Sequence, residues 1–146
     1  MQPIQQTSDM HMAEARLGPA RLAGAYAWKS MLDEKVPLAF GSDYPVENPN
    51  PFPALAVAIT RQDAGGLPAG GWHPEQLLTL SQAFRAFTAT AAYAALADDR
   101  VGMLTPGHMA DFLILDRDIF TAGAADLRGA RPLETWVGGK RVWVAK

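Results

Sequence analysis

Val36-Pro37-Leu38-Ala39-Phe40 runs into Gly41-Ser42-Asp43-Tyr44-Pro45, and the reading of this stretch decides the fold. The first five residues are apolar at odd and even positions alike. Such a run suits a strand buried on both faces, as in a parallel sheet covered by helices. Gly41 and Pro45 punctuate a turn after it. Asp43 therefore stands where a buried strand empties into a loop, the end at which βα architectures build their sites. A carboxylate there can bind a metal or take a proton from a metal-bound water. It can also cap the turn that follows the strand. Spacing alone favours the capping role.

Upstream, the first ten residues are polar and end in Thr7-Ser8-Asp9, which reads as a strand tail or a loop. Pro19 suits the first turn of a helix. Leu22, Ala25, Trp28 and Leu32 continue it as one apolar stripe. Its end is expected near Asp33 to Lys35, because Pro37 disfavours a helical residue before it. Downstream, Asn48-Pro49-Asn50-Pro51 and Pro53 form an irregular loop. A shorter helix follows over Ala54 to Gln62, and Ala64 to Gly71 reads as a flexible loop. Pro74-Glu75 opens the longest helical stretch, which reaches Asp98-Asp99. Leu77, Leu80, Phe84, Phe87 and Ala91 give it an apolar seam facing a core. Thr88 can cap a second helix within it.

Beyond residue 99 the pattern changes to β. Phe112-Leu113-Ile114-Leu115 is a strand candidate. Thr135-Trp136-Val137 and Val142-Trp143-Val144 flank Gly138-Gly139, a two-residue hairpin signal in which both glycines accept positive φ. Trp136 and Trp143 are expected to pack this hairpin. The chain thus divides into residues 1–99, α/β in pattern, and residues 100–146, β in pattern.

Composition narrows the function classes. The chain has 146 residues, 49% hydrophobic and 19% charged, which fits a globular protein rather than a disordered one. A net charge of -2 gives no basic surplus for nucleic acid. The absence of cysteine removes disulfides, thiolate metal sites and cysteine nucleophiles. No signal peptide or membrane span is read, so a cytoplasmic protein without a membrane partner is expected. There is no Gly-x-Ser-x-Gly elbow, and the paired glycines lack the Lys-Ser/Thr of a phosphate loop.

Phe40-Gly41-Ser42-Asp43-Tyr44-Pro45-Val46-Glu47 resembles the end of the last barrel strand in metal-dependent amidohydrolases of the family 3 type. Further segments are similar in order and spacing: Gln2-Pro3, Thr7-Ser8-Asp9-Met10, Leu17-Gly18 through Trp28, Thr60-Arg61-Gln62-Asp63, and Ala89 through Ala94. So are Gly102-Met103-Leu104-Thr105-Pro106-Gly107 with Ala110-Asp111-Phe112, and Thr135 through Lys140. The resemblance covers nearly the whole chain. It implies a partial (β/α)8 barrel, the last strands and helices over residues 1–99, then strands of an accessory β-sandwich over 100–146. It implies hydrolysis of a C–N, amide-type bond in a small-molecule substrate by metal-activated water in an intact parent. Asp43 would be the metal ligand and proton acceptor, with Gln5, Asp9 and Tyr44 lining the pocket.

The resemblance also sets out what this chain does not carry. The family's His-x-His pair belongs to the first barrel strand, whereas the only histidines here are His11, His73 and His108. His11 reads as an exposed loop residue, His73 as flanking a helix, and His108 as a turn residue. Relatives commonly carry His two residues after Gln-Pro; this chain has Gln5, which hydrogen-bonds but is a poor ligand and cannot shuttle protons. Zinc wants about three or four protein ligands. A divalent metal, zinc, is therefore expected in the intact parent and none on this chain alone. The chain alone is expected to be inactive. The alternative reading is a catalytically inactive remnant that acts as a structural, self-associating domain. Open sheet edges invite pairing, so a homo-oligomer is expected, with the Leu77–Ala91 seam as a surface it could bury.

Overall fold

α4, Pro51–Thr60, is the centre about which the other helices pack in the computed structural model, which describes residues 1–146. Phe52, Ala54, Leu55, Ala56, Val57 and Ala58 are all buried. A helix apolar on every side belongs inside. Pro51 occupies its first turn, and Asn50 Oδ1 accepts from the Phe52 N–H at 3.1 Å, so the start is both pre-bent and capped. Around α4 lie α1 (Pro3–Leu17), α5 (Leu80–Phe87) and α7 (Ala124–Arg128). The main core joins α4 to Trp28, Leu38, Phe40, Leu78, Ala83, Ala86, Ile119 and Leu127.

α1 corrects the expectation of a strand tail or loop at residues 1–10. Its buried side chains are Pro3, Gln6 and Met10, spaced by three and four residues. That is helical spacing, but the middle member is polar, so the apolar stripe is broken in the sequence. The helix expected from Pro19 to Asp33–Lys35 is also split. α2 (Pro19–Leu22) ends early, Tyr26 takes φ 52°, and α3 (Trp28–Asp33) restarts with Trp28 fully buried.

The stretch Val36–Phe40 does not form a regular strand, and it is not buried on both faces: Leu38 and Phe40 are buried while Val36 and Pro37 are exposed. Its backbone neighbours are few. The Met1 ammonium donates to the Ala39 carbonyl at 2.6 Å, Gly41 N–H to Met1 at 3.2 Å, and Phe40 N–H to Ala86 at 2.9 Å. The N–H groups of Leu38 and Ala39 donate to nothing in the chain. A strand is defined by its ladder, and here there is no second strand to supply one.

The long helix expected from Pro74 is instead a 3-10 turn (Pro74–Gln76), then α5, then α6 (Ala89–Ala94). Thr79 starts α5 with a capping box. Its Oγ1 accepts from Gln82 N–H at 3.2 Å, and Gln82 Oε1 accepts from Thr79 N–H at 2.9 Å. The chain does break at Thr88, though the Thr88 hydroxyl reaches back to Phe84 O at 2.8 Å rather than capping α6. Leu80, Phe84 and Phe87 pack against the main core, as the seam predicts.

β1 (Phe112–Leu115), β2 (Pro132–Val137) and β3 (Lys140–Val144) form an antiparallel sheet in that order. The hairpin falls where Gly-Gly puts it, with Gly138 and Gly139 at φ 55° and 75°. Trp136 stacks on Phe112 with centroids 5.5 Å apart, whereas Trp143 stays half exposed. α7, between β1 and β2, has no counterpart in the sequence reading. The fold is α/β with one three-stranded antiparallel sheet.

Candidate functional site

Asp43 lies just past the buried Phe40, at φ 58°. Asp is one of the residues that tolerates this left-handed region. Its carboxylate makes no bond to the turn it begins. The turn is held by Tyr44 N–H donating to Ser42 Oγ at 3.3 Å and by Val46 N–H donating to the Asp43 carbonyl at 2.8 Å. The side-chain capping role that spacing favoured is therefore not Asp43's.

The Asp43 carboxylate instead accepts from α1: Gln5 Nε2 donates to Asp43 Oδ2 at 3.0 Å. Three residues further along α1, Ser8 Oγ donates to Glu47 Oε1 at 2.7 Å. Residues three apart share a helix face. One face of α1 thus presents two neutral donors to two carboxylates of the loop 42–47.

Asp9, one helical turn beyond Gln5, is engaged elsewhere. Tyr26 OH donates to Asp9 Oδ2 at 2.5 Å. Burial, then that hydrogen bond and the charge of Asp9, hold the Tyr26 phenol protonated well above its ordinary range. Tyr44 is 69% exposed and makes no side-chain hydrogen bond. Of the four residues singled out from sequence, Gln5 and Asp43 meet, Asp9 stands on the same helix bound to Tyr26, and Tyr44 faces solvent.

The histidines lie apart from this cluster. His11 is exposed on α1. His73 precedes the 3-10 turn, with Nδ1 3.0 Å from Glu75 Oε1, and so flanks a helical turn as expected. His108 sits in its turn between Thr105 Oγ1 at 2.9 Å and the Asp98 carbonyl at 3.0 Å. A carbonyl only accepts, so Nε2 donates to Asp98, while Nδ1 shares a hydrogen bond with the Thr105 hydroxyl, which can donate or accept.

The donor set does not fit a metal ion by itself. Asp43 offers one carboxylate, one of whose oxygens already accepts from Gln5. No group of three His, Cys, Asp or Glu side chains converges anywhere in the chain. About three or four such ligands are needed.

Ser8, Glu47 and Tyr26 escaped the sequence reading. Ser8 could have been found from its three-residue spacing to Gln5 had the segment been read as a helix. Glu47 lay inside the quoted motif with no role attached.

The sequence model of the amidohydrolase family matches residues 1–143. The chain belongs to the amidohydrolase family. It is 33% identical over 144 residues to Protein LONG AFTER FAR-RED 3 of Arabidopsis thaliana, covering 98% of this chain and 24% of that protein. It is 31% identical over 111 residues to the N-substituted formamide deformylase of Arthrobacter pascens, covering 76% of this chain and 20% of that protein. A crystal structure of an uncharacterized metal-dependent hydrolase from Pyrococcus horikoshii OT3 superposes with a TM-score of 0.74 at 31% identity, covering 85% of this chain and 25% of that one. This chain thus spans about a quarter of the length of the relatives it matches. Within the amidohydrolase chain, the Ala110-Asp111 pair has a structural role. Asp111 Oδ1 accepts from Gly138 N–H at 2.7 Å and the Ala110 carbonyl from Gly139 N–H at 3.0 Å, which ties the hairpin turn to the start of β1.

No helix of the chain is long and apolar enough to cross a membrane.

Proposed function

We propose that this chain is the Asp43-bearing part of a hydrolase acting on C–N, amide-type bonds of small molecules. The observation that carries the reading is the placement of Asp43. It follows the buried Leu38 and Phe40, its carboxylate is not consumed by the turn, and a helix donor from 38 residues away orients it. Asp43 takes a proton from the attacking water and passes it to the leaving nitrogen, work for which a positioned carboxylate is suited. Residues 1–99 would be the last strands and helices of a barrel and residues 100–146 part of an accessory sandwich. The family membership and the Arthrobacter relative, named for deformylating N-substituted formamides, support the bond class. A divalent metal, zinc, would draw its other ligands from outside these 146 residues, so the chain alone is inactive.

A chimera tests this. These residues would replace the matching part of the Arthrobacter deformylase, and hydrolysis of N-substituted formamides would be followed. The chimera should turn over, and Asp43→Asn should cost it about 10²–10⁴-fold in kcat, the usual contribution of a general base. An Asp43→Asn chimera as fast as its parent chimera would overturn the reading.

The second reading is a self-associating structural domain, and the exposed sheet favours it. Leu113, Ile114, Val142, Trp143 and Val144 are each 43–60% exposed. The unpaired N–H groups of Leu38 and Ala39 add an open edge. The Leu77–Ala91 seam is largely turned inward on the core, so association would use the sheet. Light scattering should show a mass of two chains or more; a clean monomer at high concentration would count against it.

A further inference from the structure

We infer that Arg61 is a positioning residue for the Asp43 site, acting through α1. The inference rests on the reading of Asp43 given above, but its test is geometric and independent of turnover. Arg61 ends α4 at φ 53° and is fully buried. Its guanidinium lies over two indoles, 4.4 Å from the Trp28 ring and 5.2 Å from the Trp72 ring. Burial pushes it down to about 10, with the charge of Glu75 opposing, so it remains a cation at neutral pH.

Its two hydrogen bonds go to carbonyls. Nη1 donates to Tyr26 O at 3.0 Å, and Nε donates to Trp72 O. Tyr26 and Trp72 are two residues whose side chains grip α1 through its carboxylates. Tyr26 OH donates to Asp9 Oδ2 at 2.5 Å, and Trp72 Nε1 donates to Glu14 Oε1 at 2.7 Å. One guanidinium thus fixes two backbones, and those two residues fix α1 at two points along its length. α1 then presents Gln5 to Asp43 at 3.0 Å. The approach is tight: at Gly71 a Cβ would lie 2.3 Å from the Thr60 carbonyl oxygen, so the chain entering Trp72 is pressed onto the end of α4. A planar fork between two ring faces suits guanidinium and not the point charge of an ammonium.

The test uses the full chain and nitrogen-15 NMR of the Gln5 side-chain amide, assigned with Gln5→Ala. In Arg61→Met and Arg61→Lys that signal should move to the position of a free glutamine amide, while the amides of the 132–144 hairpin stay in place. A merely structural Arg61 would lower stability without moving the Gln5 signal of the folded molecules. If the Arg61 variants do not fold, Tyr26→Phe and Trp72→Phe each cut one grip and leave the guanidinium in place. Each should move the signal part of the way, and the double variant all of it. An unmoved Gln5 amide in folded Arg61→Met, or in the double variant, would overturn the inference. Loss or survival of hydrolysis in the chimera bears on Asp43 and leaves this readout untouched.

Discussion

Gln5 and Asp43, 38 residues apart in sequence, meet through one hydrogen bond of 3.0 Å from Gln5 Nε2 to Asp43 Oδ2. The amide is neutral and donates, so it suits an ionised carboxylate. Replacing it by a second carboxylate reverses the interaction. Gln5→Glu should therefore lower stability by about 0.5–1 kcal/mol at neutral pH, the scale of exposed charge pairs. The loss should shrink as salt screens the exposed pair. Thermal melts of both proteins from low to high ionic strength measure it; a difference that does not change with salt would remove the contact from the account.

Phe52 is 3% exposed at the start of α4 and belongs to the main core. Phe52→Ala should destabilise by about 3–5 kcal/mol, the usual cost of a large cavity. The urea midpoint should fall with little change in slope.

Asp111 holds the hairpin turn through Gly138 N–H at 2.7 Å. Because the residue is exposed, Asp111→Ala should cost only about 1 kcal/mol, the net worth of an ordinary hydrogen bond. Hydrogen exchange should quicken at Gly138 and along β3 while α4 is unchanged. Uniform loss of protection would mean that Asp111 supports more than the hairpin.

Asp116 accepts from Arg117 Nε and Nη2 at 3.0 and 2.8 Å and from Arg131 N–H at 3.0 Å. The Arg117 bonds, then the Arg131 N–H, lower its carboxyl from the ordinary 3.8 to about 2. A depressed pKa in the folded state contributes stability above the unfolded value and loses it as pH falls. The Asp116→Asn variant and the parent chain should therefore differ most above pH 4 and converge between pH 4 and 2. Acid titrations followed by circular dichroism check the convergence.

The elements legible in the sequence were those whose signal is local. Gly138-Gly139 fixed the hairpin because two adjacent positive-φ positions ask for glycine. The proline-rich run through Pro53 reads as loop, yet Asn50 caps and Pro51 opens α4 ahead of the expected start at Ala54. α1 was not legible, because the buried Gln6 interrupts its apolar stripe and its place is set by Asp9, Glu14 and Gln5 meeting partners far along the chain. The division of α2 from α3 was hidden for the same reason. The Tyr26 carbonyl that a continuous helix would use is bonded to Arg61, 35 residues away. Asp43 was visible from its motif, but its partner could be learned only once α1 was known to be a helix.

The most direct measurement is metal content. Purified chain would be loaded with zinc, dialysed, and analysed for retained metal. With the Asp43 and Glu47 carboxylates each already accepting from α1, and no three ligand side chains converging, retention far below one zinc per chain is predicted. Retention near one zinc per chain, lost in Asp43→Ala, would contradict the claim that the site is completed only by ligands from outside these residues.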